Sequence, residues 1–345
     1  MSEIAPIYKE LASKILMADS EYVPRILAKL ANPEQARILQ ALPDPDRESS
    51  AGRSLQVSEK FAKKLNLDKK TVDGHIQELF EKGVLFPTRG GPQMARTLLQ
   101  LHDACLGNPK FDKSLGNEFF DLWASLEGKP KKPVPENLRP ERAAFRVVPK
   151  WKAIEDVPGV LPHENLKEML KAQELLVLLH CGCKRSFRER ECGIPEESCI
   201  TVGRTAQYNL ERGAGRKITF DEALAILDKY DKHGTVNLTI NQKGVNQLIC
   251  NCHWCCCNAL KGAAKSRFIA TVNAEECRGC KTCVKRCQYS AVQMKFYTEF
   301  GAERAYVDAE LCRGCGNCVT TCPAEARKMK VVRPPEHIPE SLAIY

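Results

Sequence analysis

Cys277-Arg-Gly-Cys280-Lys-Thr-Cys283-Val-Lys-Arg-Cys287 and Cys312-Arg-Gly-Cys315-Gly-Asn-Cys318-Val-Thr-Thr-Cys322-Pro323 are two copies of one pattern. Each reads C-x2-C-x2-C-x3-C, the spacing that holds cubane iron–sulfur clusters on thiolates. Zinc ribbons and a chance group of thiols are the competing readings, and two complete copies in register argue against both. The repeat extends upstream of the cysteines. Ala270-Thr-Val-Asn-Ala-Glu-Glu-Cys277 parallels Ala305-Tyr-Val-Asp-Ala-Glu-Leu-Cys312. Each copy therefore predicts a short strand, a tight cysteine loop and a helical turn. Gly279, Gly314 and Gly316 sit inside the loops, where backbone must pass close to a cube.

Over about residues 266–333 the chain resembles the bacterial two-cluster ferredoxin domain. The resemblance implies two [4Fe–4S] clusters with crossed fourth ligands. Cluster A takes Cys277, Cys280, Cys283 and Cys322; cluster B takes Cys312, Cys315, Cys318 and Cys287. Gln288 stands where that motif usually carries proline, a change expected to alter loop stiffness rather than ligation. Lys295–Arg304, between the copies, reads as an inserted hairpin.

The whole chain has 345 residues, room for two or three domains. Its longest strongly apolar run, Leu175–Leu179, is far too short to span a bilayer. The start, Met1-Ser-Glu-Ile-Ala-Pro, has no basic segment followed by an apolar one, so a cytoplasmic location is expected. Eighteen cysteines without an export signal point to metal ligation in a reducing compartment, not to disulfides. The formal net charge is +9. Cluster assembly removes thiol protons and leaves a net negative group, so the loaded protein is expected to be less basic.

Nine further cysteines lie between 181 and 257. Cys181, Cys183, Cys192 and Cys199 form one group; Cys250, Cys252, Cys255, Cys256 and Cys257 form the other. Five thiols in eight residues are not the scattered pattern of core cysteines. They predict at least one further metal centre, of iron–sulfur type, with zinc or a redox-active thiol set as alternatives. Neighbouring side chains diverge, so at least one of Cys255, Cys256 and Cys257 is expected to point elsewhere. Thr219-Phe-Asp-Glu222 reads as a capping box opening a helix that ends at His233-Gly234. Asn165–Leu179 reads as a helix delivering Cys181 and Cys183, and Thr235–Ile240 as a strand.

The strings His180-Cys-Gly-Cys-Lys-Arg185, Gly193-Ile-Pro-Glu-Glu-Ser-Cys199, Gly215-Arg-Lys-Ile-Thr-Phe-Asp-Glu-Ala-Leu224 and Ile249-Cys-Asn-Cys-His-Trp-Cys-Cys-Cys257 carry a second resemblance. Across about residues 10–333 the chain is similar to a group of prokaryotic cytoplasmic proteins with a C-terminal dicluster ferredoxin domain. That group usually has cysteine at position 253, where this chain has His253. Histidine can replace cysteine on iron, as in Rieske centres, but a lone substitution more often marks a position that is not an essential ligand. The paired cysteines also bear some likeness to the non-cubane clusters of heterodisulfide reductases. The resemblance implies electron transfer.

Residues 58–86 carry a helix–turn–helix pattern running into a wing-like end. Ser58–Leu65 and Lys69–Lys82 are the helices, with Asp68 the expected cap of the second. From Asp68 to Lys82, three lysines (69, 70, 82) oppose four acids (68, 73, 78, 81). A helix that reads the major groove carries Arg, Lys, Asn or Gln toward bases and phosphates, so this module is expected to bind protein and not specific DNA. Gly128–Pro149 holds five prolines and reads as an extended linker.

The expected fold is α+β: a helical winged-helix-like domain over 1–127, a proline-rich linker over 128–150, a cysteine-rich α/β metal-binding domain over 151–265, a ferredoxin domain over 266–333 and a tail over 334–345. No dinucleotide fingerprint, Walker loop, HExxH or GxSxG occurs. Lone His75, His102 and His163 read as surface or core residues. The expected function is relay of low-potential electrons from a soluble donor such as ferredoxin to a partner reductase, a flavoprotein among the candidates. A reductase acting at its own middle-domain iron–sulfur site and a redox-sensing winged-helix regulator are the alternatives.

Overall fold

A computed structural model describes residues 4–46, 54–128, 143–188, 193–245 and 247–341. The chain forms two compact units. The first comprises residues 1–129, 179–189 and 208–216; the second comprises 130–178, 190–207 and 217–345. No helix among the described residues is long and apolar enough to cross a membrane.

The first unit is mainly helical. Pro6–Lys14, Val23–Leu30 and Pro33–Ala41 all begin with proline in the first turn, where its missing N–H costs nothing. Asn32 and Gln35 close a capping box on the third. Helices Glu59–Lys64 and Lys69–Glu81 follow, capped by Ser58 and Asp68. The antiparallel hairpin β1 (Leu85–Thr88) and β2 (Gly91–Met94) comes next. Leu98–Leu106 and Asp112–Glu127 complete the set. Their apolar faces share one core with Leu11, Leu27, Leu39, Ile76, Leu79 and Trp123. Cys105 lies in that core, where burial pushes its thiol pKa up, as befits a packing residue. His102 is buried too, its Nδ1 2.8 Å from Asp103 and its Nε2 2.6 Å from Glu127.

A six-stranded sheet lies mostly within the second unit. Its strands are β3 (Phe145–Val148), β4 (Leu176–His180), β5 (Glu197–Val202), β6 (Gly215–Ile218), β7 (Val236–Ile240) and β8 (Leu248–Cys252), in the order β3-β7-β8-β5-β4-β6. Helices Leu166–Lys171 and Phe220–Asp231 pack Met169, Leu170, Ala223 and Leu227 against Leu178, Ile200 and Ile249. Thr219 and Glu222 form the expected capping box.

Two expectations change here. The stretch 165–179 is not one helix. The helix covers Leu166–Lys171, and the apolar run forms β4. Leu176–Leu179 are buried throughout, so the run is an interior strand and not one stripe of a helix. Cys181 and Cys183 follow this strand, Cys181 capping the short helix Gly182–Ser186. Within the proline-rich stretch, Phe145–Val148 is the edge strand β3, paired with β7 from Phe145↔Ile240 to Val148↔Asn237.

Beyond β8 come β9 (Phe268–Val272), β10 (Val292–Tyr297), β11 (Ala302–Val307) and β12 (Arg327–Val331). β9 and β12 pair antiparallel, as do β10 and β11. The second pair is the inserted hairpin, closed at Gly301 with a left-handed φ of 57°.

Candidate iron–sulfur site

The internal repeat is visible in backbone detail. Cys277 N–H donates to the Asn273 carbonyl at 3.2 Å, and Cys312 N–H to the Asp308 carbonyl at 3.0 Å. The side chains of Asn273 and Asp308 accept from Glu275 N–H and Glu310 N–H. Each turn is thus closed by the same two bonds, at positions that match in the two sequence copies. Each cysteine loop then enters a short helix, Thr282–Arg286 or Asn317–Thr320, and ends on the fourth cysteine.

Cys277, Cys280, Cys283 and Cys322 line one pocket. Three come from the first run and one from the second. The pocket is open on one side and is walled by Pro323, Ala326, Met294 and Ala305. Cys280 is exposed at its mouth and Cys283 is buried. A Cβ on Gly279 would stand 2.8 Å from the Glu303 carbonyl oxygen, and one on Gly314 would stand 2.3 Å from that of Phe268. Both residues have left-handed φ, so glycine is required twice over. Ala305 N–H points at Cys277 Sγ at 3.5 Å, and Ala291 N–H at Cys287 Sγ at 3.2 Å. Amides aimed at thiolates are what a cluster-binding loop supplies. The donor set, the open cavity and the side-chain-free turns fit a cubane.

The second run lies deeper. Cys312 and Cys318 are each 7% exposed and share an apolar cluster with Cys283, Phe268 and Met329. Burial pushes the Cys318 thiol up to about 11 and the Cys315 thiol well above its usual range. Lys150 N–H donates to the Cys315 carbonyl at 3.0 Å, and its buried ammonium sits 3.6 Å from Asp231.

The cysteine-rich loop packs against this deeper side. Cys252, Cys257 and Leu260 form an apolar cluster with Tyr289, into which Cys287 and Cys315 also pack. Trp254 N–H donates to Gln288 Oε1 at 3.1 Å. The residue that replaces the motif's proline therefore ties the two cysteine regions together. Tyr289 is 3% exposed, and its hydroxyl has no hydrogen-bond partner among the described residues.

Within the loop, Cys250 and Cys252 lie two apart on β8 and so share one face. The Cys252 thiol is hydrogen-bonded to those of Cys250 and Cys257, and these contacts, with burial, raise its pKa. Cys256 Sγ lies on the His253 carbonyl at 3.8 Å, and His253 Nδ1 faces Cys255 N–H at 3.4 Å. Cys199 is half-buried on β5. Cys181 and Cys183 belong to the first unit. Cys192 lies outside the described residues. Among the described residues, no three His, Cys, Asp or Glu side chains form a ligand set for a single metal ion.

Three residues beside these thiols escaped the sequence reading: Lys150, Tyr289 and Arg327. Only Arg327 carried a signal, as a charged residue in register with buried Met329 on β12.

Residues 276–326 match the model of the 4Fe-4S dicluster domain family. No curated protein matches the chain. The C-terminal region is thus a 4Fe-4S dicluster domain, a cluster-binding domain of the kind used in iron–sulfur electron transfer.

Proposed function

We propose that the protein is a cytoplasmic electron relay. It takes low-potential electrons from a soluble donor such as a ferredoxin and passes them to a partner oxidoreductase, a flavoprotein among the candidates. Cys277, Cys280, Cys283 and Cys322 hold cluster A; Cys312, Cys315, Cys318 and Cys287 hold cluster B. The observation that carries this reading is the pocket shared by Cys277, Cys280, Cys283 and Cys322, with Cys280 at its open mouth. Each cluster, when bound, supplies one-electron storage, and four thiolate ligands leave no open iron for substrate. The exposed edge suits a protein partner, because electrons cross between proteins where the carrier comes near the surface.

Cys250, Cys252 and Cys257 are the core of a further iron–sulfur centre, with Cys181, Cys183, Cys192, Cys199, Cys255 and Cys256 as the remaining candidates. Support comes from the contact of Cys252, Cys257 and Tyr289 with the Cys287 and Cys315 side of the dicluster domain. The N-terminal module, winged-helix-like in its element order, serves as a protein-docking surface.

Anaerobic reconstitution of the full chain tests the relay. It should bind at least about eight irons, the content of two cubanes. Cys322→Ser should disturb the EPR signal of one cluster and Cys287→Ser that of the other. The loaded protein should be reduced by ferredoxin and re-oxidised only when a second protein is present. Iron content below that of two cubanes would end the dicluster assignment. Many turnovers of a small organic substrate by the protein alone would replace the relay with an enzyme.

A further inference from the structure

Arg327 opens β12, paired with Val272 of β9. Strand alternation turns it inward with Met329, while Lys328 and Lys330 face solvent. The side chain is 3% exposed. Nη1 donates to Cys283 Sγ at 3.4 Å. The Cys318 thiol lies in the same buried cluster as Cys283, and the guanidinium charge holds its pKa lower than burial alone would. Nε and Nη2 find no protein partner among the described residues. The titratable groups that act on it are the thiols of Cys318, Cys283 and Cys322.

A buried guanidinium ordinarily faces a carboxylate, because an uncompensated charge in an apolar site is heavily destabilising. Here thiols of both cysteine runs take that place. The nearby cations are placed differently. Lys150 sits by Asp231, Arg304 donates to the Ala274 carbonyl and Arg313 to the Ala263 carbonyl.

We propose that Arg327 is a shared counter-cation of the two clusters, a tuning residue that raises both reduction potentials. The proposal rests on the assignment of Cys283 to one cluster and Cys318 to the other. A cubane on four thiolates is net negative and gains a further negative charge on reduction. A fixed cation beside it stabilises the reduced form more than the oxidised one. The low-dielectric surroundings strengthen that effect. Hydrogen bonds from the guanidinium to sulfur act in the same direction. One residue placed against thiols of both runs shifts both clusters together.

The test is a potentiometric EPR titration of the reconstituted full chain, native and with Arg327→Met or Arg327→Lys. Iron content is measured first; a native chain holding less than about eight irons rejects the dicluster assignment itself, separately from any role of Arg327. In Arg327→Met with full iron, the reduced-to-oxidised ratio at fixed potential should fall at least tenfold for both clusters, a shift of about 59 mV each. Arg327→Lys keeps the charge and should hold both clusters closer to their native potentials. Native potentials in a fully loaded Met variant overturn the proposal, and so does a shift confined to one cluster. Should the Met variant fail to hold iron, the Lys variant decides. Restored iron and both signals support the counter-cation; loss of iron equal to that of the Met variant overturns it.

Discussion

His102 shows how much one buried side chain can carry. Burial alone would lower its pKa, but hydrogen bonds to Asp103 and Glu127 outweigh that and raise it to about 10. The folded value lies above the ordinary 6.5. The stabilisation is therefore complete below pH 6.5 and is lost as pH rises through about 10. His102→Gln removes one partner from a buried charge cluster and should cost about 3 kcal/mol. Denaturant titrations of the native and variant chains should differ most at the acid end and converge toward the alkaline end. A gap independent of pH would mean that His102 acts by packing alone. A sequence containing His102 beside Asp103 gives no hint of this, because Glu127 and Ser186 are brought to it only by the fold.

The elements differ in how well the sequence announces them. Capped helices were legible: Asp68, Thr219 and Glu222 carry their bonds in their own side chains, within three residues of the groups they satisfy. The cysteine loops were legible for the same reason, since ligand spacing is local. β4 was misread because a short buried apolar run has no periodicity to separate strand from helix. Gln288 shows the other kind of gap. The departure from the motif was plain, but its use was not, because Trp254 lies thirty-four residues away. Gln288→Ala leaves the Trp254 amide without its partner in a tightly packed region. Such a loss should cost about 1–2 kcal/mol, seen as a lower Tm of the loaded protein. Iron content should not change, since no ligand is touched. Loss of iron in this variant would show that the Cys250–Cys257 loop is needed to assemble the neighbouring cluster.

At the scale of the whole molecule, most of the sheet and the dicluster domain belong to one compact unit. Cutting the chain near Lys265 would strip Tyr289, Cys287 and Cys315 from the cluster that holds Cys252 and Cys257. A chain ended there should be less stable, with a lower Tm than the apo full-length protein; equal stability would show that this contact contributes little. Charge gives a second readout. The apoprotein carries a formal +9. Loading clusters removes thiol protons and adds net negative groups. The loaded protein should elute earlier than the apoprotein from a cation exchanger. Unchanged elution would mean that other protons are taken up in compensation.

Cys280 is exposed, whereas Cys312 and Cys318 are buried. Dioxygen and peroxide arriving from bulk water would thus meet one cube long before the other. Ageing in air should be stepwise: one cluster bleaches quickly and the second persists behind its apolar wall. A partly decayed preparation would still be brown, yet would have lost the cluster nearest the surface. Colour would then overstate cluster content, and handling under strict anaerobiosis would protect the outer cluster first.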